Sequence, residues 1–236
     1  MYRTRILTFV LLLLPVLIGL GLWQYGRYQE KLELEEQYKL RRQKTFSISD
    51  LQAVDDPRYY KVSTSGSFDN SRTFLLDNRV LAGRVGFHVI TLFESFNGEL
   101  LLVDRGWVPG LPDRSRLPDI PDIEGSVIIT GESWLPAGKA FLLAEDLWSS
   151  EWPKLIQSID FERMQSSLNQ PLQPWFLVLD EQQPGSFQRN FHVVNMPPSR
   201  HLGYAVQWFS MALALVLLGG YALFGTNKNK RAEQEL

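Results

Sequence analysis

A chain of 236 residues, 44% hydrophobic and 21% charged, has room for one medium domain and two apolar spans. It has no cysteine, which excludes disulfides, thiolate metal sites and a cysteine nucleophile; a centre built from several histidines would need nearly all of His88, His192 and His201. The net charge of −2 divides unevenly: Arg3, Arg5, Lys228, Lys230 and Arg231 against Glu233 and Glu235 make the tails outside residues 6–224 +3, and the remainder is −5, with no basic patch for nucleic acid.

Residues 6–23 carry no charge and are interrupted only by Thr8 and Pro15 among the apolar side chains. About 20 residues of helix cross a 30 Å hydrocarbon layer, so the stretch reads as a span. A cleaved signal peptide would share the basic start, but the outer end, Gly19-Leu-Gly-Leu-Trp-Gln-Tyr-Gly26, has large aromatics where a small-residue cleavage site would stand. Trp23 and Tyr25 suit an interfacial aromatic belt. Gly19, Trp23 and Arg27 form one helical stripe, with Gln24 beside it and Lys31 a further turn on. A guanidinium there either pairs bidentately with a carboxylate or snorkels to the interface.

Residues 28–43 are charged and lack Gly and Pro, which predicts a solvated helical stalk. Beyond Tyr59 the pattern changes to short β-branched and aromatic runs separated by Gly, Asn and Pro: residues 60–68, 73–81, 85–93, 99–108, 126–134, 175–180 and 189–195. Residues 111–123 read as an irregular Pro-Asp loop and 160–168 as one short helix with Asp160 near its N-cap. His88 and His192 fall on predicted strands and read as core or surface histidines.

Residues 202–224 form a second uncharged stretch. At its start His201, Tyr204, Ala205, Trp208 and Ala212 share a helix face. An ionisable side chain at a membrane edge is costly and often functional. His201 is either a haem-iron ligand, with Ala205 and Ala212 leaving room for a flat ring beside Tyr204 and Trp208, or an interfacial histidine bonded to water and headgroups. The positive-inside rule puts both basic tails in the cytoplasm and the long middle segment outside. No zinc-protease, nucleophile-elbow or P-loop pattern occurs.

Taken in order, Gly21-Leu-Trp-Gln-Tyr-Gly-Arg27 with Lys31, Gly66-Ser-Phe68, Asn78-Arg79, Gly83-Arg-Val-Gly86 leading to Thr91, Val103-Asp-Arg-Gly-Trp-Val-Pro109, Gly131-Glu-Ser133, Asn195-Met-Pro197 and His201-Leu-Gly-Tyr-Ala-Val-Gln-Trp-Phe209 resemble the Surfeit-locus-one (Shy-type) family of cytochrome c oxidase assembly factors. The resemblance covers nearly the whole chain. It implies a non-enzymatic factor that binds haem A as cargo at the outer membrane edge and assists its insertion into oxidase subunit I. The alternative is a haem-free scaffold that stabilises an oxidase assembly intermediate. It carries the family's haem-binding histidine onto His201, as iron ligand, and its tryptophan-glutamine-arginine edge onto Trp23, Gln24 and Arg27; with Tyr204 and Trp208 of the His201 helix face these make the expected cofactor site. Partners on this reading are cytochrome c oxidase subunit I and its assembly intermediates, haem A synthase, membrane lipid and further copies of the chain. The chain departs from the family pattern just before His201, where Pro197-Pro-Ser-Arg200 stands in place of asparagines that many members carry.

The expected fold is a membrane protein with two transmembrane helices flanking a mostly antiparallel β (α+β, barrel-like) extracytoplasmic domain. Its divisions are a cytoplasmic tail (1–5), transmembrane helix 1 (6–25), the β-rich domain with a helical stalk at its start (26–200), transmembrane helix 2 (201–224) and a cytoplasmic tail (225–236). The expected location is a bacterial inner membrane.

Overall fold

The computed structural model describes residues 2–113, 116–135, 146, 148–191 and 196–225. It divides the chain into two compact units, Met1–Gln37 with Val193–Leu236, and Tyr38–His192.

The first unit is a pair of helices. Helix α1 runs unbroken from Tyr2 to Arg41, so the apolar stretch and the charged stalk are one element. Pro15 sits inside it with only apolar neighbours. After α1 come β1 (Thr45–Phe46), α2 (Ile48–Gln52), β2 (Lys61–Leu81), β3 (Arg84–Ser95), β4 (Leu100–Pro109), β5 (Val127–Trp134), β6 (Lys154–Ile156), α3 (Phe161–Leu168), β7 (Phe176–Leu179) and α4 (Pro198–Gly220). A π-helical turn, Tyr221–Gly225, continues α4. Both α1 and the Pro198–Phe224 helix are long and apolar enough to cross a membrane.

The second unit is a mixed, mostly antiparallel sheet. β2 is long enough to take two antiparallel partners, β3 along its second half and β5 along Lys61–Gly66, and it also pairs in parallel with the short β1 and β6. β3 pairs with β4, β4 with β7 in parallel, and β7 with β5. Because β5 returns to β2, the path β2–β3–β4–β7–β5 closes on itself, which leaves those strands without a free edge. The β2–β3 turn places Ala82 and Gly83 at φ of 48° and 77°, the positive angles a tight hairpin requires.

Alternation along the strands builds a core on each face. Leu101, Val103, Leu177 and Leu179 join Val62, Phe93, Ile129 and Trp175 under Ile48 and Leu51 of α2. Their neighbours Leu102, Phe176 and Val178 join Phe74, Leu76, Ile90 and Leu92 under Met164 and Leu168 of α3. Ser47 and Asp50 cap α2 reciprocally, and the Asp160 carboxylate accepts from Arg163 N–H at 3.2 Å to cap α3 as expected.

The predicted strands at 60–68 and 73–81 are one bulged strand, with register shifts between Asp69 and Thr73 and between Leu76 and Arg79. The predicted strand at 189–195 is not formed over its described part. Gln188 makes a single antiparallel bridge to Trp107, and residues 189–191 leave the ladder. There Arg189 is drawn to two carboxylates and the Asn190 amide donates to Val80 O at 3.1 Å. Residues 192–195, His192 among them, lie outside the described residues.

Candidate functional site

Helices α1 and α4 meet along small residues. On α4 the buried positions are Pro198, Ala205, Ala212 and Gly219, one every heptad; on α1 they are Leu17 and Gly21. A Cβ on Gly21 would lie 2.6 Å from the Phe209 ring, and one on Gly219 would lie 2.9 Å from Val10 Cγ2. Small side chains let two apolar helices approach closely, which is how helices associate in lipid, where burial of apolar surface gives no drive.

One turn beyond Gly21, Gln24 reaches α4. His201 Nδ1 lies 2.8 Å from Gln24 Oε1. An amide oxygen only accepts, so Nδ1 donates. This bond unites two of the residues singled out from sequence. Trp208, half-buried, lies two turns beyond His201 on α4. Trp23, Tyr204 and Arg27 are exposed and do not join His201. Arg27 donates to Glu30 Oε2 at 2.8 Å, and its guanidinium lies 5.9 Å from the Trp23 ring centroid. The expected room beside Ala205 and Ala212 is absent, because both are buried in the helix seam, at 1% and 6% exposure.

The β-domain holds polar clusters that sequence reasoning passed over. Glu132, 1% exposed on β5, accepts from the Tyr38 hydroxyl at 2.8 Å and pairs with Arg189 Nη2 and Arg42 Nε, each at 2.9 Å. The Arg42 contact is an ion pair without hydrogen-bond alignment, which leaves Glu132 Oε1 short of a true donor. Arg189 also meets Asp180 at 3.2 Å. Burial, then the Glu132 carboxylate, push the Tyr38 phenol up to about 12. The end of the stalk is therefore tied into the domain and is not free in solvent. Asp56 is held at about 2 by hydrogen bonds from Arg58 and then Arg41.

Within Val103–Pro109, Asp104, Arg105, Gly106 and Trp107 each make a specific contact. Asp104 Oδ2 lies 2.7 Å from His88 Nδ1 and Oδ1 accepts from Gly106 N–H, so His88 is a paired core histidine. Arg105, 2% exposed, donates to the Gly185 and Pro121 carbonyls at 2.9 and 3.0 Å and stacks on Phe68 and Phe187. Burial pulls its guanidinium down to about 10. Gly106, at φ 112°, would bring a Cβ within 2.9 Å of Gln188 O. Trp107 donates from its indole to Arg79 O at 2.7 Å. The Arg105 bonds pin loops to the sheet, while Asp104 and Trp107 tie β4 to His88 of β3 and Arg79 of β2. The motif's signal was readable as unusual polar content inside a strand, but its partners are distant in sequence.

The SURF1 family model matches residues 11–213, which takes in most of both helices and the domain between them. The chain belongs to the SURF1 family. A SURF1-like protein of Rickettsia felis is 25% identical over 92% of this chain and 96% of its own length. An uncharacterized SURF1-like protein of Mycobacterium bovis is 25% identical over 77% of this chain and 66% of its own. A Dictyostelium discoideum SURF1-like protein is 28% identical over 42% of this chain and 41% of its own. The family match spans Gln24 and His201, and both β-domain clusters lie inside it. Among the described residues no group of three or more His, Cys, Asp or Glu is placed to hold a metal ion.

Proposed function

We propose that this SURF1-family chain binds haem A against His201 and assists its insertion into subunit I of a haem–copper terminal oxidase. Family membership carries the broader role, oxidase assembly by a factor that is not an enzyme. The finer reading rests on one observation: an imidazole at the start of an apolar helix, oriented by Gln24 with its second nitrogen available. A haem iron needs only one such ligand from the protein.

The chemistry of the surrounding side chains suits this cargo. Haem A carries a formyl group and a hydroxyfarnesyl tail, so a site on a membrane-spanning helix pair leaves the tail in lipid. Tyr204 and Trp23 offer exposed aromatic faces, and Trp208 lies on the same helix as His201. Arg27 and Arg200 are exposed cations for the propionates. Arg27 would exchange Glu30 for a propionate, a like-for-like replacement that costs little because the resting pair is solvent-exposed.

On this reading residues 6–25 and 201–224 cross a bacterial inner membrane, both termini are cytoplasmic, and residues 26–200 face outward to meet subunit I and haem A synthase. The test is expression with a haem A source, followed by the visible spectrum of the purified protein. Loss of bound haem in His201→Ala, with normal membrane insertion, supports the reading; undiminished haem overturns it. Oxidase subunits that co-purify with a haem-free protein would favour the scaffold reading.

A further inference from the structure

Among the described residues, the His201 ring takes its hydrogen bond from the neighbouring helix, through an uncharged partner. We infer that Gln24 is a positioning residue for cargo capture: its amide oxygen holds His201 in the Nδ1–H tautomer, which makes Nε2 the ligating atom and keeps the ligand weak enough to release its iron. The inference rests on the haem reading.

The tautomer follows from the acceptor. In a neutral imidazole one nitrogen carries the proton and the other the lone pair, and the hydrogen bond decides which. With Gln24 Oε1 at 2.8 Å from Nδ1, the proton sits there. Without that acceptor the ring is free to protonate at Nε2, which removes the lone pair from the atom that points away from Gln24. Ligating histidines are commonly fixed this way by a partner on the second nitrogen, and removing such a partner weakens metal affinity.

The choice of partner matters as much as its presence. His88 shows what a carboxylate does in the same chain: Asp104 grips its Nδ1 at 2.7 Å inside the β-domain. A carboxylate draws the proton toward itself and makes the imidazole a more basic, more tenacious ligand. A carrier must also let go. An amide orients the ring as well as a carboxylate does and adds no charge, which suits cargo that is handed on. The close approach at Gly21 brings Gln24 within reach, so the seam of small residues and the orientation of the ligand are one design.

The experiment uses the full chain in lipid nanodiscs with 15N-labelled histidine, where three histidines keep the spectrum assignable and His201→Ala identifies the signal. Without haem, His201 is expected to show a protonated Nδ1 and an unprotonated Nε2, and Gln24→Leu is expected to lose that preference. Haem A is then titrated and followed by its visible spectrum. Gln24→Leu should bind about 10- to 100-fold more weakly than wild type. Gln24→Glu should restore binding and slow haem transfer to an apo-globin acceptor. A wild-type ring protonated at Nε2, or wild-type haem affinity in Gln24→Leu, overturns the inference and leaves the haem reading standing. A wild-type chain that keeps the tautomer but takes up no haem A overturns the haem reading itself, and the positioning role with it.

Discussion

In the β-domain a buried carboxylate, Glu132, is met by a phenol and two guanidiniums; in the helix pair an uncharged side-chain amide meets an imidazole. The two regions differ in what a lost partner leaves behind. Truncating Glu132 leaves Arg189 with Asp180 as its remaining carboxylate and takes the acceptor from the half-buried Tyr38 hydroxyl. Truncating Gln24 leaves a ring that can turn. The first region is therefore sensitive in stability and the second in ligand orientation. The close contacts divide the same way: Gly131 abuts a backbone carbonyl, whereas Gly21 abuts the far edge of a half-exposed phenylalanine ring.

The largest expected effect is at Glu132. Glu132→Ala should cost about 3 to 5 kcal/mol, toward the lower end because Arg42 is partly exposed and can recover water. Thermal unfolding of the full chain measures it, and Glu132→Gln, which keeps an acceptor for Tyr38, should cost less. A loss under about 1 kcal/mol in Glu132→Ala would show the cluster to be incidental.

Next comes Gly131→Ala. Its Cβ would lie 2.3 Å from Val178 O, a backbone atom in the β5–β7 ladder that cannot step aside without breaking the pairing. Overpacking of this kind costs about 1 to 3 kcal/mol. The matching change on the helix pair, Gly21→Ala, collides with Phe209 at 2.6 Å, but that ring can swing and alanine favours helix by up to about 1 kcal/mol. The denaturation midpoint should fall clearly for Gly131→Ala and barely move for Gly21→Ala. Equal shifts would break the comparison.

How much of this was legible in sequence depended on range. Uncharged length disclosed both membrane-capable helices, and the β-branched runs disclosed β2, β3, β4, β5 and β7. The elements β1, α2 and β6 span two, five and three residues, too short for any period to register. Closure of the sheet rests on β2 serving two partners, which depends on pairings far apart in the chain. The run at 189–195 has strand composition, yet Arg189 and Asn190 are claimed by Glu132, Asp180 and the Val80 carbonyl. In the site, periodicity grouped Trp23 with Arg27 and set Gln24 beside them. Which stripe of α1 faces α4 is decided by where the small residues of both helices meet, so Gln24 and not Trp23 reaches His201.

The remaining effect has a sign set by pH. Tyr38→Phe removes one hydrogen bond to Glu132, which is worth about 1 kcal/mol near neutral pH. The phenol is raised from 10.0 to about 12 in the folded chain, by burial first and by Glu132 second. Between those values the unfolded chain has released the proton while the folded chain still holds it. The unfolded state then binds fewer protons, and stability falls as pH rises through this window. Below it, Tyr38 contributes its full share. The wild-type chain should lose ground to Tyr38→Phe from pH 10 upward until the two converge or cross. Denaturant unfolding at pH 8 and at pH 11, on both proteins, measures the difference. A gap between them that stays constant with pH would mean that the Tyr38 proton is not held by the Glu132 cluster, and the contrast between a charged β-domain node and a neutral helix-pair contact would lose its clearest pH signature.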